Sequence, residues 1–327
     1  MARSENQKLK LLYEIKILEK YSDENHPICT QEIIDKLEEN SVTAERKTIY
    51  SDMQLLQDFG YDINIIKSRT NGGYYLGVRE FELPELNLLV DAVQASRYIT
   101  AAKSRALISK IETLCSDTEA QELRRQVYVR NRIKTDNESI YYVVDMIHRA
   151  MRLGCRIAFQ YMDWDMKKKL APRRGGKIYE VSPWALTCSD DNYYMVSYDG
   201  DADIIKHFRV DKMGSMQVLE NKKREGADRF GEFDIAKYTN HVFGMYSGEE
   251  EKITLSFPNE MIGIALDRFG RDVNLFCTEP DRFHICVDIE VSRQFYGWLT
   301  GLGPNVKILS PDSVREGYYE YLRSIIE

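Results

Sequence analysis

The chain has 327 residues, a formal net charge of −7, 30% charged residues and 43% hydrophobic ones. That length allows two or three domains, each large enough to bury its own core. The acidic balance excludes a protein that is basic all over, so contact with nucleic acid must come from a local patch. Even residues 1–78 carry ten Lys/Arg against thirteen Asp/Glu. The six cysteines are scattered, with no C-x-x-C pair and no His partner, and read as free thiols of a reducing cytosol. Neither a signal peptide nor a run of about 18 apolar residues is seen, so a soluble, cytoplasmic protein with no membrane partner is expected.

Three helices are expected first. Over 5–21, Leu11, Ile15 and Leu18 fall at helical spacing, with Leu12 widening the stripe. A second helix follows Thr30 as N-cap, with Gln31 and Glu32 in its first turn and Ile33, Ile34 and Leu37 inward. A third over 43–59 puts Ile49, Met53 and Leu56 on one face. At about 100° per residue its opposite face presents Thr43, Lys47, Tyr50, Ser51 and Gln54, with Arg46 on the flank. Gly60 stops that helix. The run Lys67-Ser68-Arg69-Thr70-Asn71-Gly72-Gly73 then turns alternating residues around Ile63 and Ile65 into Tyr74-Tyr75-Leu76, a hairpin signal. Three helices and a β-wing over 1–80 make a winged helix-turn-helix, which reads double-stranded DNA through its third helix. The polar outer face suits a major groove and equally suits solvent. Lys67, Arg69 and Asn71 suit phosphate or the minor groove, as would a plain solvated hairpin.

Residues 81–153 read as a helical connector and a candidate dimer contact. Pro84 starts it, Val90, Val93 and Ile99 recur through it, and Asn137 caps a last helix. Ile140, Val143, Val144, Ile147 and Met151 form the stripe of that helix, which ends before Gly154. Over 154–220 the pattern turns to strands at 157–161, 181–187, 193–198 and 204–210. The turn signals Ser189-Asp190-Asp191-Asn192 and Asp199-Gly200-Asp201 separate them, which implies a small barrel. A basic insertion, Lys167, Lys168, Lys169, Arg173, Arg174 and Lys177, lies between the first two strands. Residues 221–250 read as a polar linker. Over 251–327 a strand at 253–257, a helix at 259–269, strands at 273–276 and 283–289, a helix at 292–302 and a strand at 306–309 give a ferredoxin-like βαββαβ plan, with a helix after 312. The class is multi-domain α+β.

Strand alternation puts Tyr194, Val196 and Tyr198 on one face and Tyr193 on the other, and groups His207, Arg209 and Asp211 opposite Phe208 and Val210. Should Tyr161, Ser182, Tyr194, His207 and Arg209 converge, they would line an aromatic, cationic pocket for a nucleotide or a short single strand. The alternative is a half-exposed sheet face on which Arg209 pairs with a nearby carboxylate. No Walker loop, H-E-x-x-H, G-x-S-x-G or metal-ligand cluster occurs, so neither an enzyme nor a cofactor is expected.

These residues resemble the WYL-domain transcriptional regulators of bacteria, over nearly the full chain. Arg46-Lys47-Thr48-Ile49-Tyr50-Ser51-Asp52 and Gly72-Gly73-Tyr74-Tyr75-Leu76 look like their DeoR-like winged helix, with Ser51 where the family commonly has a further Arg. Tyr193-Tyr194-Met195 stands at the Trp-Tyr-Leu tripeptide, between Ser182-Pro183-Trp184-Ala185-Leu186 and His207-Phe208-Arg209-Val210-Asp211-Lys212-Met213. Asp267-Arg268-Phe269-Gly270, Phe295-Tyr296-Gly297-Trp298-Leu299 and Leu309-Ser310-Pro311 resemble the family's C-terminal WCX extension. The resemblance implies an Sm-like or SH3-like β-barrel as effector sensor, a ferredoxin-like extension and a homodimer. It implies DNA contacts by Thr43, Arg46, Lys47, Thr48, Tyr50, Ser51, Gln54, Lys67, Arg69 and Asn71. Tyr161, Ser182, Tyr193, Tyr194, His207 and Arg209 would meet a nucleotide or single-stranded effector. The function expected is a ligand-responsive, sequence-specific transcriptional regulator acting on a DNA operator. The alternative is an accessory protein that binds single-stranded nucleic acid in a phage-defence or CRISPR setting.

Overall fold

The computed structural model describes residues 9–69, 71–126, 134–135, 137–189, 191–230, 242–246 and 248–326. The start of the first predicted helix (5–8), Thr70 of the wing, Asp190 of a predicted turn, and 127–133, 136 and 231–241 of the predicted connector and linker lie outside the described residues. The chain forms two compact units, Met1–Asp136 and Asn137–Glu327.

The first unit opens with α1 (Lys10–Tyr21), α2 (Thr30–Glu39) and α3 (Arg46–Phe59), followed by β1 (Ile63–Ile66) and β2 (Gly73–Leu76). Ile15, Leu18, Ile33, Leu37, Ile49, Met53 and Leu56 meet in one core, which Ile63, Tyr74 and Leu76 of the hairpin close. Leu12 is the exception: it is 58% exposed, because at 3.6 residues per turn it lies off the stripe of Leu11, Ile15 and Leu18. Cys29 rather than Thr30 caps α2, its backbone N–H donating to Glu32 Oε2 at 2.7 Å. Helix α3 begins at Arg46, so Thr43 precedes it, and it ends on Gly60 at φ +117°. Glycine takes that conformation without a Cβ penalty.

The two strands pair antiparallel from Ile63↔Leu76 to Ile66↔Gly73, so the turn is the longer 67–72 rather than a two-residue Asn-Gly turn. Ile28 pairs with Tyr74 through two backbone hydrogen bonds of 2.8 Å. That approach brings the Ile28 carbonyl against Gly73, where any Cβ would collide. Helices α4 (Leu83–Ala95), α5 (Ala101–Ile111) and α6 (Asp117–Gln126) complete the unit, with a second core of Leu86, Cys115, Ala120 and Leu123. The Ser116 hydroxyl donates to Asp23 at 2.6 Å, and Arg79 donates to the carbonyls of Glu19 and Ser22. These bonds tie the helices to the first three.

Helix α7 (Ile140–Leu153) belongs to the second unit, so the predicted connector is divided between the two. It buries Ile140, Val143, Ile147 and Ala150 and ends on Gly154, φ +63°. Ser139 rather than Asn137 is the N-cap; Asn137, two residues earlier, accepts the Ser139 N–H at 3.0 Å and donates to the Asp211 carbonyl. Strands β3 (Cys155–Trp164), β4 (Leu170–Pro172), β5 (Ile178–Ser189), β6 (Asn192–Asp199) and β7 (Ile204–Arg209) form a sheet in the order β4-β3-β5-β6-β7. A strand absent from the sequence reading, β8 (Met213–Lys223), pairs antiparallel with β3. Its polar, largely exposed residues mark an edge strand with one side chain face in water.

The expected closed barrel is not formed. The tight turn Val210–Lys212 carries the chain from β7 straight onto β3, starting at Met213↔Tyr161, and no ladder joins β7 to β8 among the described residues.

The last part contains β9 (Glu249–Pro258), a helix at Ile262–Phe269, β10 (Leu275–Glu279), β11 (Arg282–Val291), a helix at Arg293–Gly301, β12 (Lys307–Ser310) and a final helix at Asp312–Ile326. The sheet order is β10-β11-β9-β12, antiparallel throughout. Its core joins Leu255, Phe257, Phe283, Ile285, Phe295 and Leu299.

The described residues of the predicted linker 221–250 are built into this unit. Residues 227–230 form a short helix, α8 (Ala227–Phe230), whose Phe230 stacks on Trp184 with centroids 4.7 Å apart. Val242, Phe243 and Met245 are buried. Phe243 packs on Phe295 and Trp298, and the Arg268 guanidinium lies 3.8 Å from its ring centre. No helix among the described residues is long and apolar enough to cross a membrane.

Candidate functional site

On the first unit, the register of α3 sends Arg46, Lys47, Tyr50, Ser51 and Gln54 into solvent while Ile49, Met53 and Leu56 hold the core. Gln54 donates to Asp58 at 3.0 Å along the same face. Lys67, Arg69 and Asn71 are exposed on the 67–72 turn. Arg46, Lys47, Lys67 and Arg69 have no hydrogen bond or ion pair among the described residues, so their charges face water.

Thr48 is exposed like its neighbours, and its hydroxyl also donates to the Glu45 carbonyl at 2.7 Å and accepts from Lys10 Nζ at 2.8 Å, which closes the helix start. Thr43, ahead of the helix, is exposed but does not share its register.

On the second unit, a cleft of about 500 Å³ opens beside β6 and β7. Tyr161, Tyr194, His207 and Arg209 line it together, because Tyr194 and Arg209 are directly opposed across the β6–β7 ladder and Tyr161 ends the neighbouring region of β3. The Tyr161 hydroxyl accepts the Arg209 backbone N–H at 3.2 Å, and burial pushes its pKa up to about 12, so it stays protonated. Its ring packs edge-on against Phe208 at 5.4 Å. Arg209 donates Nε to Asp211 Oδ1 at 3.1 Å and an Nη to Oδ2 at 2.8 Å. Four of the five side chains expected to converge do so here, and Arg209 is at the same time paired with a carboxylate.

Burial lowers the His207 pKa to about 4, while its bond to the backbone of Met245 pulls the other way. The imidazole is neutral at pH 7 and ties the strap 242–246 to the cleft wall.

Two expected members are elsewhere. Ser182 is buried opposite Tyr198, and its hydroxyl accepts the Glu225 N–H at 2.9 Å. Tyr193 lies opposite Cys188 on the other face of β6 from Tyr194, as a period of two requires.

The cleft also holds side chains that sequence reasoning did not place there: Arg173, Lys206, Lys212, Asp163 and Tyr246. Arg173 comes from the basic insertion, whose charge run was a usable signal. Tyr246 was hidden by the linker reading. Lys206 is paired with Asp199, and Lys212 with Asp163 at 2.8 Å. Three of the four cations around the cleft are thus already matched, and Arg173 is the one among the described residues that is not.

Comparison with known families bears on this geometry. A WYL domain model matches residues 142–218, which take in most of α7, the strands β3–β7 and the cleft's cations, and a WCX domain model matches 249–326. The chain carries a WYL domain and a WCX domain. Its WYL domain supplies every cleft residue except those of the strap, and its WCX domain begins just after the strap ends.

Among solved structures, the WYL protein is similar to proteasome accessory factor B/C of Arthrobacter aurescens, at 17% identity and a TM-score of 0.29. That likeness covers 95% of this chain and 46% of that one, so the chain spans about half the length of the Arthrobacter protein. It is also similar to a CRISPR Cas-related protein, at 10% identity and a TM-score of 0.37, covering 97% and 84%. No curated protein matches the WYL protein.

Proposed function

We propose that the protein is a sequence-specific DNA-binding transcriptional regulator whose WYL cleft receives a nucleotide or single-stranded nucleic-acid effector. The observation that carries the reading is the cleft itself, where tyrosines and cations converge on one wall of a domain assigned to the WYL family. Tyrosine faces stack on bases, and guanidinium groups bind phosphate. In this reading residues 9–76 act as a winged helix, with Lys47, Tyr50, Ser51 and Gln54 in the major groove and Arg46, Lys67 and Arg69 on phosphate. The WCX domain follows a ferredoxin-like plan, the reading involves no catalysis, and a homodimer would meet a palindromic operator.

An effector changes DNA affinity only if it binds one arrangement of the protein better than another.

The test is selection of duplex sites from a random library, followed by gel shifts over a salt series. Lys47→Ala combined with Arg46→Ala is expected to weaken the selected duplex and, through the phosphate contact of Arg46, to reduce the salt slope by about one. Arg209→Ala is expected to leave duplex binding intact and to abolish its response to nucleotides or single strands. Selection that yields no preferred duplex, with tight single-strand binding, would favour the accessory-protein reading instead.

A further inference from the structure

Strands β3 and β4 form a hairpin beside the cleft, paired Met162↔Pro172, Asp163↔Ala171 and Trp164↔Leu170. Asp165 closes its loop by accepting the backbone N–H groups of Lys167 and Lys169 at 2.9 and 2.8 Å. This hairpin and the turn after it carry the basic insertion. Lys167, Lys168, Lys169, Arg173, Arg174 and Lys177 are all exposed, and none is in an ion pair among the described residues. The neighbouring sheet behaves differently: Arg156, Lys206, Arg209, Lys212 and Lys222 each have a carboxylate partner.

Six unmatched cations within eleven residues repel one another, in a chain whose net charge is −7. Asp163 and Asp165 are the two carboxylates of the hairpin, against six cations, so they offset only part of that repulsion and an external polyanion would offset the rest. Trp164 stands in the same hairpin at 60% exposure, with Met166 at 99% beside it. An exposed indole among cations is a stacking surface for unpaired bases. Arg173 belongs to both sets, since it also lines the cleft.

We propose that this hairpin extends the cleft into a track for single-stranded nucleic acid. The cleft takes one nucleotide unit, Arg173 takes the phosphate at the junction, and Trp164 with Lys167, Lys168 and Lys169 takes the units that follow. The proposal rests on the reading of the cleft as an effector site and makes that effector a strand rather than a mononucleotide. Duplex is disfavoured on the track, because paired and stacked bases do not present a face to Trp164.

The experiment uses the full chain and oligothymidylates of graded length without terminal phosphates, read by anisotropy and by tryptophan fluorescence. Affinity is expected to climb with length. Substituting Lys167, Lys168 and Lys169 together by alanine should remove that gain and lower the salt slope by about two, near 0.7 per single-strand phosphate contact. Trp164→Ala should weaken the longer oligomers by about tenfold and remove the fluorescence quench.

A length gain that survives the triple substitution overturns the track, as does equal affinity of the unaltered protein for short and long oligomers. In both cases loss of short-oligomer binding in Arg209→Ala would still uphold the cleft. Absence of binding by the unaltered protein at every length overturns the track and the cleft reading together.

Discussion

Lys10, Glu14 and Asp52 set one ammonium against two carboxylates between α1 and α3. Lys10 Nζ is in close contact with Asp52, bonds the Thr48 hydroxyl, and stands 3.7 Å from Glu14 Oε1. One cation cannot match both acids. Burial, and then the Asp52 charge, push the Glu14 pKa up to about 8, with Lys10 only partly opposing. Folding therefore takes up a proton between the ordinary value of 4.5 and about 8, so stability should fall as pH rises through that window and level off above it. Glu14→Gln imitates the protonated acid. Its melting temperature is expected to vary less with pH and to exceed that of the unaltered protein above pH 8, as stepped-pH thermal melts would show; parallel curves would mean that Glu14 is ionised in the fold. His207 acts with the opposite sign. Its pKa is lowered from 6.5 to about 4, so its contribution is complete above about pH 6.5 and is lost as pH falls toward 4. His207→Gln should flatten the acid limb of the same melting curves.

The strap 242–246 and the edge strand β8 show how an element gains structure from its surroundings. Phe243 has little local pattern around it, yet it enters the WCX core against Phe295 and Trp298, two residues from a Met245 that binds the cleft histidine. Gly244 and Met245 both take positive φ, +59° and +58°, which turns the chain sharply enough for Phe243 and Met245 to face different partners. Phe243→Ala leaves a cavity and is expected to cost about 3–5 kcal/mol, seen as a lower denaturant midpoint for the second unit. A loss under about 1 kcal/mol would mean that the ring is not a core element. Strand β8 carries mostly exposed polar residues, and its pairing with β3 supplies the order that its own pattern lacks.

Each of the two units has its own buried core: the clusters around Leu18 and Leu86 lie in Met1–Asp136, and the cluster around Phe257 lies in Asn137–Glu327. Such units fold independently when few contacts cross between them. A fragment of residues 137–327 is expected to unfold cooperatively and to retain whatever oligothymidylate binding the full chain shows at its cleft. A non-cooperative melt would show that the second unit depends on the first. Charge is also distributed unevenly. The chain is acidic overall, yet exposed cations with no ion pair among the described residues stand close together on α3, on the 67–72 turn and on the β3–β4 hairpin. Net charge alone therefore says little about what this protein binds.

Periodicity was sufficient wherever an element has one wet face and one buried face. Ile49, Met53 and Leu56 marked the inner side of α3, Asn71-Gly72-Gly73 marked a hairpin, and strand alternation placed Tyr194 with Arg209 and apart from Tyr193. Local chemistry also carried the family resemblance, and with it the WYL and WCX assignments. What the pattern could not supply depends on distant partners. Met195, Val196 and Ser197 are consecutive and all buried, because the middle of β6 is covered on both sides and loses its alternation. Ser182 resembled a pocket residue until its bond to the Glu225 backbone placed it elsewhere. The bond from Lys10 to the Thr48 hydroxyl spans 38 positions, and no local pattern announces it. Whether the sheet closes, and which of the cations are already neutralised, are likewise questions of pairing between segments far apart in the chain. Hydrophobic periodicity is a property of neighbours in sequence. Ion pairs, strand ladders and cleft walls join residues that meet only when the chain has folded.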